Sequence, residues 1–140
     1  MLDKRKALII DYDTSYTNTL KNYLVENDFK VVIEPDSLEA VTTAHVEDPV
    51  VILVAIAMPG VMGYQLVRIF KEAEELADIP IIMVGTSTQD NGSELLTRAM
   101  NEGADESIMR HEKFSSVMKK LNKVTGYIEE EDNPVSLLLF

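Results

Sequence analysis

Apolar residues form five short runs along the chain, and each run is followed by a segment whose apolar residues recur every three or four positions. The third run, residues 50–55, has no polar alternation, is rich in β-branched residues and is closed by Met58-Pro59-Gly60. An unbroken run of this kind is typical of a parallel strand buried on both faces. The pattern predicts a sheet with residues 50–55 at its centre.

The alternation of strand and helix signals with short loops predicts one fold class. It is a doubly wound α/β domain of five strand–helix units, with helices on both faces of a five-stranded parallel sheet. Asp13 or Thr14 and Ser37 are candidate helix caps. The predicted strands are residues 7–10, 29–33, 50–55, 79–84 and 107–109, and the predicted helices are 14–26, 37–48, 64–76, 93–101 and 114–124.

The length of 140 residues fits one domain, which we place at residues 1–126. An acidic run at 129–132 and an apolar stretch at 133–140 then form a C-terminal tail, residues 127–140. Two interpretations of the tail stay open. It is either a frayed end or the beginning of a further domain, or it buries its apolar side chains on this domain or on a second copy in a homodimer.

Thirteen basic and twenty-four acidic side chains give a net charge of -11, which repels nucleic acid and anionic membrane surfaces. The chain has no cysteine and two histidines, so thiolate chemistry and a Cys- or His-rich metal site are excluded. No apolar run has the length of a signal peptide core or a membrane span. We therefore expect a cytoplasmic protein that does not bind nucleic acid or membranes directly.

Ligand chemistry in open α/β sheets lies just beyond the carboxyl ends of the strands. The central strand ends there with Ala55, which carries a methyl group where a reactive side chain is expected. The first strand ends at Asp11-Tyr12-Asp13, and strand alternation places Asp11 and Asp13 on one side. One of these carboxylates is expected to cap the first helix, with the other in an acidic crevice.

Four local signatures resemble the receiver domain of response regulators in two-component signalling, over roughly residues 5 to 124. The resemblance implies a CheY-like, flavodoxin-like three-layer sandwich. It also implies an aspartate on the third strand that accepts a phosphoryl group from a histidine kinase, and an acidic pair on the first strand that holds magnesium. The signatures are the acidic end of the first strand, Met58-Pro59-Gly60 with Gly63, Ile79-Pro80, and Gly103-Ala104-Asp105.

The chain departs from the receiver pattern at the acceptor and at the metal-binding pair. The acceptor position is Ala55, whose methyl group has no lone pair to attack phosphorus. The acidic pair aligns with Asp11 and Tyr12, with Asp13 one residue later. Because magnesium prefers several oxygen ligands, we expect weak or absent binding at Asp11 and Asp13 and no other cofactor.

The chain also departs at the positions that bind phosphoryl oxygens. The hydroxyl position on the fourth strand is Gly85, with Thr86 adjacent, so a shift of one residue stays open. The lysine position on the fifth strand is Arg110, which keeps the charge as a planar fork. Without a phosphoryl partner, Arg110 is expected to reach Asp11 or Asp13 or to turn to solvent. The aromatic switch position is Ser107.

These departures predict a non-enzymatic pseudo-receiver that acts through protein contacts, with a histidine kinase or an output domain as partner. Two alternatives stay open: a flavodoxin-like domain that binds flavin or phosphate through the hydroxyl-rich residues 14–19, and a receiver phosphorylated elsewhere, for example on Asp13. The partner face is predicted on the fourth helix, fifth strand and fifth helix. Its residues are Leu95, Leu96, Met100, Met109, Lys119 and Lys120.

Overall fold

The computed structural model of the chain describes residues 5–85 and 92–126. Within them, five parallel strands form one sheet in the order β2-β1-β3-β4-β5, which confirms the predicted fold class with β3 at the centre. The strands are β1 (Arg5–Ile10), β2 (Phe29–Glu34), β3 (Val51–Ala55), β4 (Ile81–Gly85) and β5 (Glu106–Met109).

Helices cover both faces of the sheet. Leu8 and Ile10 of β1 belong to the core under α2, α3 and α4, whereas Ala7 and Ile9 belong to the core under α1 and α5. Every residue of β3 and β4 is buried, which explains why neither strand alternates with polar residues. The helices are α1 (Thr14–Glu26), α2 (Ala40–Glu47), α3 (Gly63–Glu72), α4 (Gly92–Glu102) and α5 (Phe114–Thr125).

The third helix is shorter than the apolar pattern predicts. α3 ends at Glu72, whereas the pattern continues to Leu76. A separate turn follows, in which the Leu76 amide donates to the Ala73 carbonyl at 2.9 Å. This turn buries Leu76, which is 2% exposed, so the side chain continues the helical pattern without belonging to the helix.

Asp13 caps α1 as predicted, because its side chain accepts from the Tyr16 amide. The prediction for Ser37 is wrong. The cap before α2 is Asp36, which accepts from the Leu38 amide at 2.9 Å at the start of a 3₁₀ turn, Ser37–Glu39. The Ser37 side chain instead turns into the protein, where the residue is 3% exposed.

The membrane prediction can be checked against helix length. None of the helices in the two described ranges is long and apolar enough to cross a membrane. Thr86 and residues 127–140 lie outside the described residues, so the one-residue shift at the fourth strand and the docking of the tail stay predictions.

Candidate functional site

The carboxyl ends of the four strands at the centre and one edge of the sheet lie side by side. Ala55 pairs with Val84 across β3 and β4, and Gly85 pairs with Met109 across β4 and β5. Asp11 follows β1 on the other side of β3. We call the space at this edge the crevice, formed by Asp11, Asp13, Ala55, Gly85 and Arg110.

An ion pair between Asp11 and Arg110 fills the crevice. Nη2 of Arg110 donates to Oδ1 of Asp11 at 2.9 Å, and Nη1 lies 2.7 Å from Oδ2 as an ion contact without hydrogen-bond geometry. The Asp11 side chain is fully buried, and that of Arg110 is 13% exposed. Nη1 also lies 3.9 Å from Oδ2 of Asp13. The expected contact of Arg110 with Asp11 is therefore present.

The backbone after β1 fixes both aspartates. Oδ1 of Asp11 also accepts from the Asp13 amide at 3.0 Å, and Oδ1 of Asp13 accepts from the Tyr16 amide at 3.1 Å. The first turn of α1 thus sets the position of each carboxylate. Asp13 is the helix cap and Asp11 the crevice acid, in agreement with the sequence. Tyr12, between them, is 51% exposed.

Arg110 is held from two further sides. Its amide donates to the Gly85 carbonyl at 2.9 Å, and its guanidinium carbon lies 4.8 Å from the centroid of the Tyr16 ring. Burial raises the pKa of Tyr16 to about 12, and the Arg110 charge opposes this rise only in part. The ring therefore stays neutral at ordinary pH and offers its face to the cation.

Apolar side chains fill the place where a receiver would hold phosphoryl oxygens. A Cβ added to Gly85 would lie 2.8 Å from Sδ of Met109 and 3.0 Å from Cδ1 of Ile56. Both distances are shorter than a van der Waals contact, so a hydroxyl side chain at position 85 requires Met109 to move. Ala55 is 1% exposed in the same region. The crevice thus offers few polar groups besides its ion pair.

The residues of the crevice do not fit a magnesium site. Magnesium requires about six oxygen ligands at roughly 2.1 Å in octahedral geometry. Both oxygens of Asp11 already face Arg110, and one oxygen of Asp13 caps α1. No group of three or more His, Cys, Asp or Glu residues arranged to hold a metal occurs in residues 5–85 and 92–126.

The hydroxyl-rich residues 14–19 do not form a phosphate loop, which removes the basis for the flavin alternative. They form the first turns of α1. Oγ1 of Thr17 donates to the Asp13 carbonyl at 2.9 Å, and Oγ1 of Thr19 donates to the Ser15 carbonyl at 3.0 Å. These hydroxyls satisfy the backbone of their own helix.

The predicted partner face is narrower than its six residues suggest. Met100 is 38% exposed and Lys119 is exposed, whereas Leu95 and Leu96 pack against the core. Nζ of Lys120 donates to the Ser107 carbonyl at 2.9 Å. Met109 fills the space beside Gly85 and belongs to the crevice wall.

Sequence reasoning missed three contributors to the crevice. In the sequence, Tyr16 is marked only as one of the apolar residues at helical spacing on the first helix. Ile56 is marked only by its position after the central strand. No motif in the sequence marks Glu112, yet its side chain accepts from the Met109 amide at 2.9 Å and from Lys120. Its pKa is lowered, because the hydrogen bonds and the Lys120 charge together outweigh the opposing effect of burial.

Comparison with known proteins identifies the family of the chain. The model of the response regulator receiver domain matches residues 7–122. The chain belongs to this family.

The relatives of this receiver domain include longer proteins. A probable transcriptional regulator, ycf27 of Cyanophora paradoxa, is 28% identical over 109 residues, which are 78% of this chain and 43% of that protein. The chain thus spans less than half the length of that relative. Protein PilH of Pseudomonas aeruginosa is 27% identical over 119 residues, 85% of this chain and 96% of that protein.

A solved structure gives the same fold. The receiver domain of the sensor histidine kinase PA1611 from Pseudomonas aeruginosa PAO1, with a magnesium ion in its active-site cleft, superposes with a TM-score of 0.78. It is 18% identical, and the match covers 88% of this chain and 98% of that one.

Proposed function

We propose that this receiver domain takes part in two-component signalling without being phosphorylated on an aspartate at the end of β3, and that it acts through contacts with other signalling proteins. The single observation that carries the proposal is Ala55, a buried methyl group at the carboxyl end of the central strand. A methyl carbon has no lone pair with which to form an acyl phosphate. The domain is then a binding module and not an enzyme.

Two features of the crevice support the proposal independently of Ala55. Met109 and Ile56 lie within 3.0 Å of the place where a side chain at Gly85 would begin. Arg110 makes its ion pair with Asp11, so the cation that would meet a phosphoryl group is already engaged. The first feature leaves no room for a hydroxyl side chain on the fourth strand unless Met109 moves, and the second leaves no unpaired cation for a phosphoryl group. The proposed loss of phosphoryl transfer therefore does not depend on Ala55 alone.

The partner is proposed from the family and the exposed residues. A histidine kinase or an output domain of the same pathway is the class of protein that a receiver contacts. Met100 and Lys119 are the exposed members of the predicted face. A partner that carries an apolar group for Met100 and an acidic group for Lys119 would complement these two side chains.

Phosphotransfer tests the proposal directly. The chain is incubated with acetyl phosphate and magnesium, and separately with a phosphorylated histidine kinase, and its intact mass is measured. We expect no added phosphoryl group. The matched control is a receiver with an intact acceptor aspartate, treated identically. A labile phosphorylated product would overturn the proposal, and peptide mapping would show whether Asp13 carries the group.

A further inference from the structure

Arg110 brings a positive charge to the carboxylates of the crevice without a metal ion. Asp11 is buried, and Asp13 lies on the same side with its side chain 40% exposed. A buried carboxylate with a second one on the same side destabilises a fold unless a cation compensates it. In the receiver pattern that cation is divalent. Here the guanidinium of Arg110 stands 2.7 Å from one carboxylate and 3.9 Å from the other.

We infer that Arg110 replaces the divalent cation of the receiver crevice: its guanidinium uses the carboxylates that would bind the metal, excludes divalent ions and fixes the loops after β1 and β5 in one arrangement. The inference rests on the proposed function, since a crevice that needs no phosphoryl transfer needs no metal. It makes residue 110 a built-in counter-ion whose charge does not depend on metal supply or on ordinary pH.

Displacing Arg110 would be costly for an incoming metal ion. Its backbone is fixed by the Gly85 carbonyl, its guanidinium lies against the Tyr16 ring, and its Nε is buried without a hydrogen-bond partner among the described residues. A divalent ion on Asp11 would leave this buried cation unpaired beside a second positive charge. Removing the guanidinium should therefore uncover a cation site on the two aspartates.

Manganese binding measured by electron paramagnetic resonance tests the inference. The test compares the wild type with Arg110→Met, which keeps length but removes charge, with Arg110→Lys, and with Arg110→Met/Asp11→Asn. We expect Arg110→Met to bind one manganese ion at the two aspartates, with an affinity at least tenfold higher than that of the wild type. The Asp11→Asn change should abolish that site. Arg110→Lys should bind manganese with an affinity between those of the wild type and Arg110→Met, because an ammonium group keeps the charge but cannot cover both oxygens of Asp11. Wild-type binding as tight as that of Arg110→Met, or a folded Arg110→Met without binding, overturns the inference.

A second measurement keeps the test decisive if Arg110→Met does not fold. In the wild type, the Arg110 Nε resonance is assigned through its absence in Arg110→Lys and is followed while manganese is added. The inference predicts that it stays sharp, and paramagnetic broadening overturns the inference. Phosphorylation of the chain would refute the proposed function but would not alter these binding results, so the two failures can be distinguished.

Discussion

A guanidinium and an ammonium use a carboxylate differently, and this difference sets the geometry of the crevice. Arg110 presents Nη1 and Nη2 to the two oxygens of Asp11, which a compact ammonium group cannot do. The planar group also lies against the ring of Tyr16. Arginine at the family's lysine position is therefore a change of contact geometry as well as of size.

Tyr16 allows a test of how far water is excluded from the region beside Arg110. Its hydroxyl is buried without a hydrogen-bond partner among the described residues, so Tyr16→Phe should change the free energy of unfolding near neutral pH by less than about 1 kcal/mol. Burial raises the pKa of Tyr16 to about 12 in the folded state, against about 10 when unfolded. The unfolded chain then loses the proton first, so stability falls as pH rises through this window.

Urea unfolding at neutral and alkaline pH measures the effect. The wild type should lose stability between about pH 10 and 12, and Tyr16→Phe should lose less over the same range. Tyr12→Phe is the matched control, since Tyr12 is 51% exposed and its substitution should not alter the alkaline decline. Equal declines in the wild type and Tyr16→Phe would contradict the assigned burial.

At the scale of the secondary-structure elements, hydrogen bonds of Ser37 connect the loop after β2 to the loop after β3. Its hydroxyl donates to the Pro59 carbonyl at 2.7 Å and accepts from the Val61 amide at 2.9 Å. Gly60 lies between them at φ +93°, and a Cβ there would come within 2.6 Å of the Ser37 hydroxyl. The serine therefore fixes the loop that follows Ala55.

Ser37→Ala is expected to destabilise the fold by about 1–3 kcal/mol, because the Val61 amide and the Pro59 carbonyl lose a buried partner. Urea unfolding gives this value, and hydrogen exchange of the Val61 amide should accelerate with it. Ser115→Ala is the control, since Ser115 is exposed on α5 and should be nearly neutral. Unchanged exchange at Val61 in Ser37→Ala would contradict the proposed tie.

Local patterns explain which elements and contacts could be predicted. The central strands were predictable because burial on both faces leaves an apolar run with little ambiguity. The end of α3 was not, since Leu76 continues the helical spacing from a separate turn. Serine and aspartate have the same preference for the cap position, so the sequence could not distinguish Ser37 from Asp36, which is the cap in the structure. Charge alone left three positions open for Arg110, on Asp11, on Asp13 or in solvent, and the structure has the contact with Asp11. The Met109 packing depends on how β4 and β5 pair.

Across the whole domain, we expect the departures from the receiver pattern to depend on one another. An acceptor at position 55 would find Arg110 already paired with Asp11, and Met109 filling the space beside Gly85. Restoring one group therefore leaves the others in the wrong state. Effects of neighbouring sites that share partners are not additive. The crevice should become able to accept a phosphoryl group only when positions 55, 85 and 110 are changed together.

Acetyl phosphate labelling of restored variants tests this coupling. Ala55→Asp alone should stay unlabelled. Its carboxylate has no metal ion beside it, and the only cation of the described crevice, Arg110, is already paired with Asp11. The triple variant Ala55→Asp/Gly85→Thr/Arg110→Lys should gain a phosphoryl group in the presence of magnesium, detected by intact mass. Adding Asp11→Asn to the triple variant is the control and should abolish labelling, since Asp11 supplies the metal carboxylate. Labelling of Ala55→Asp as fast as that of the triple variant would mean that the acceptor alone limits the domain.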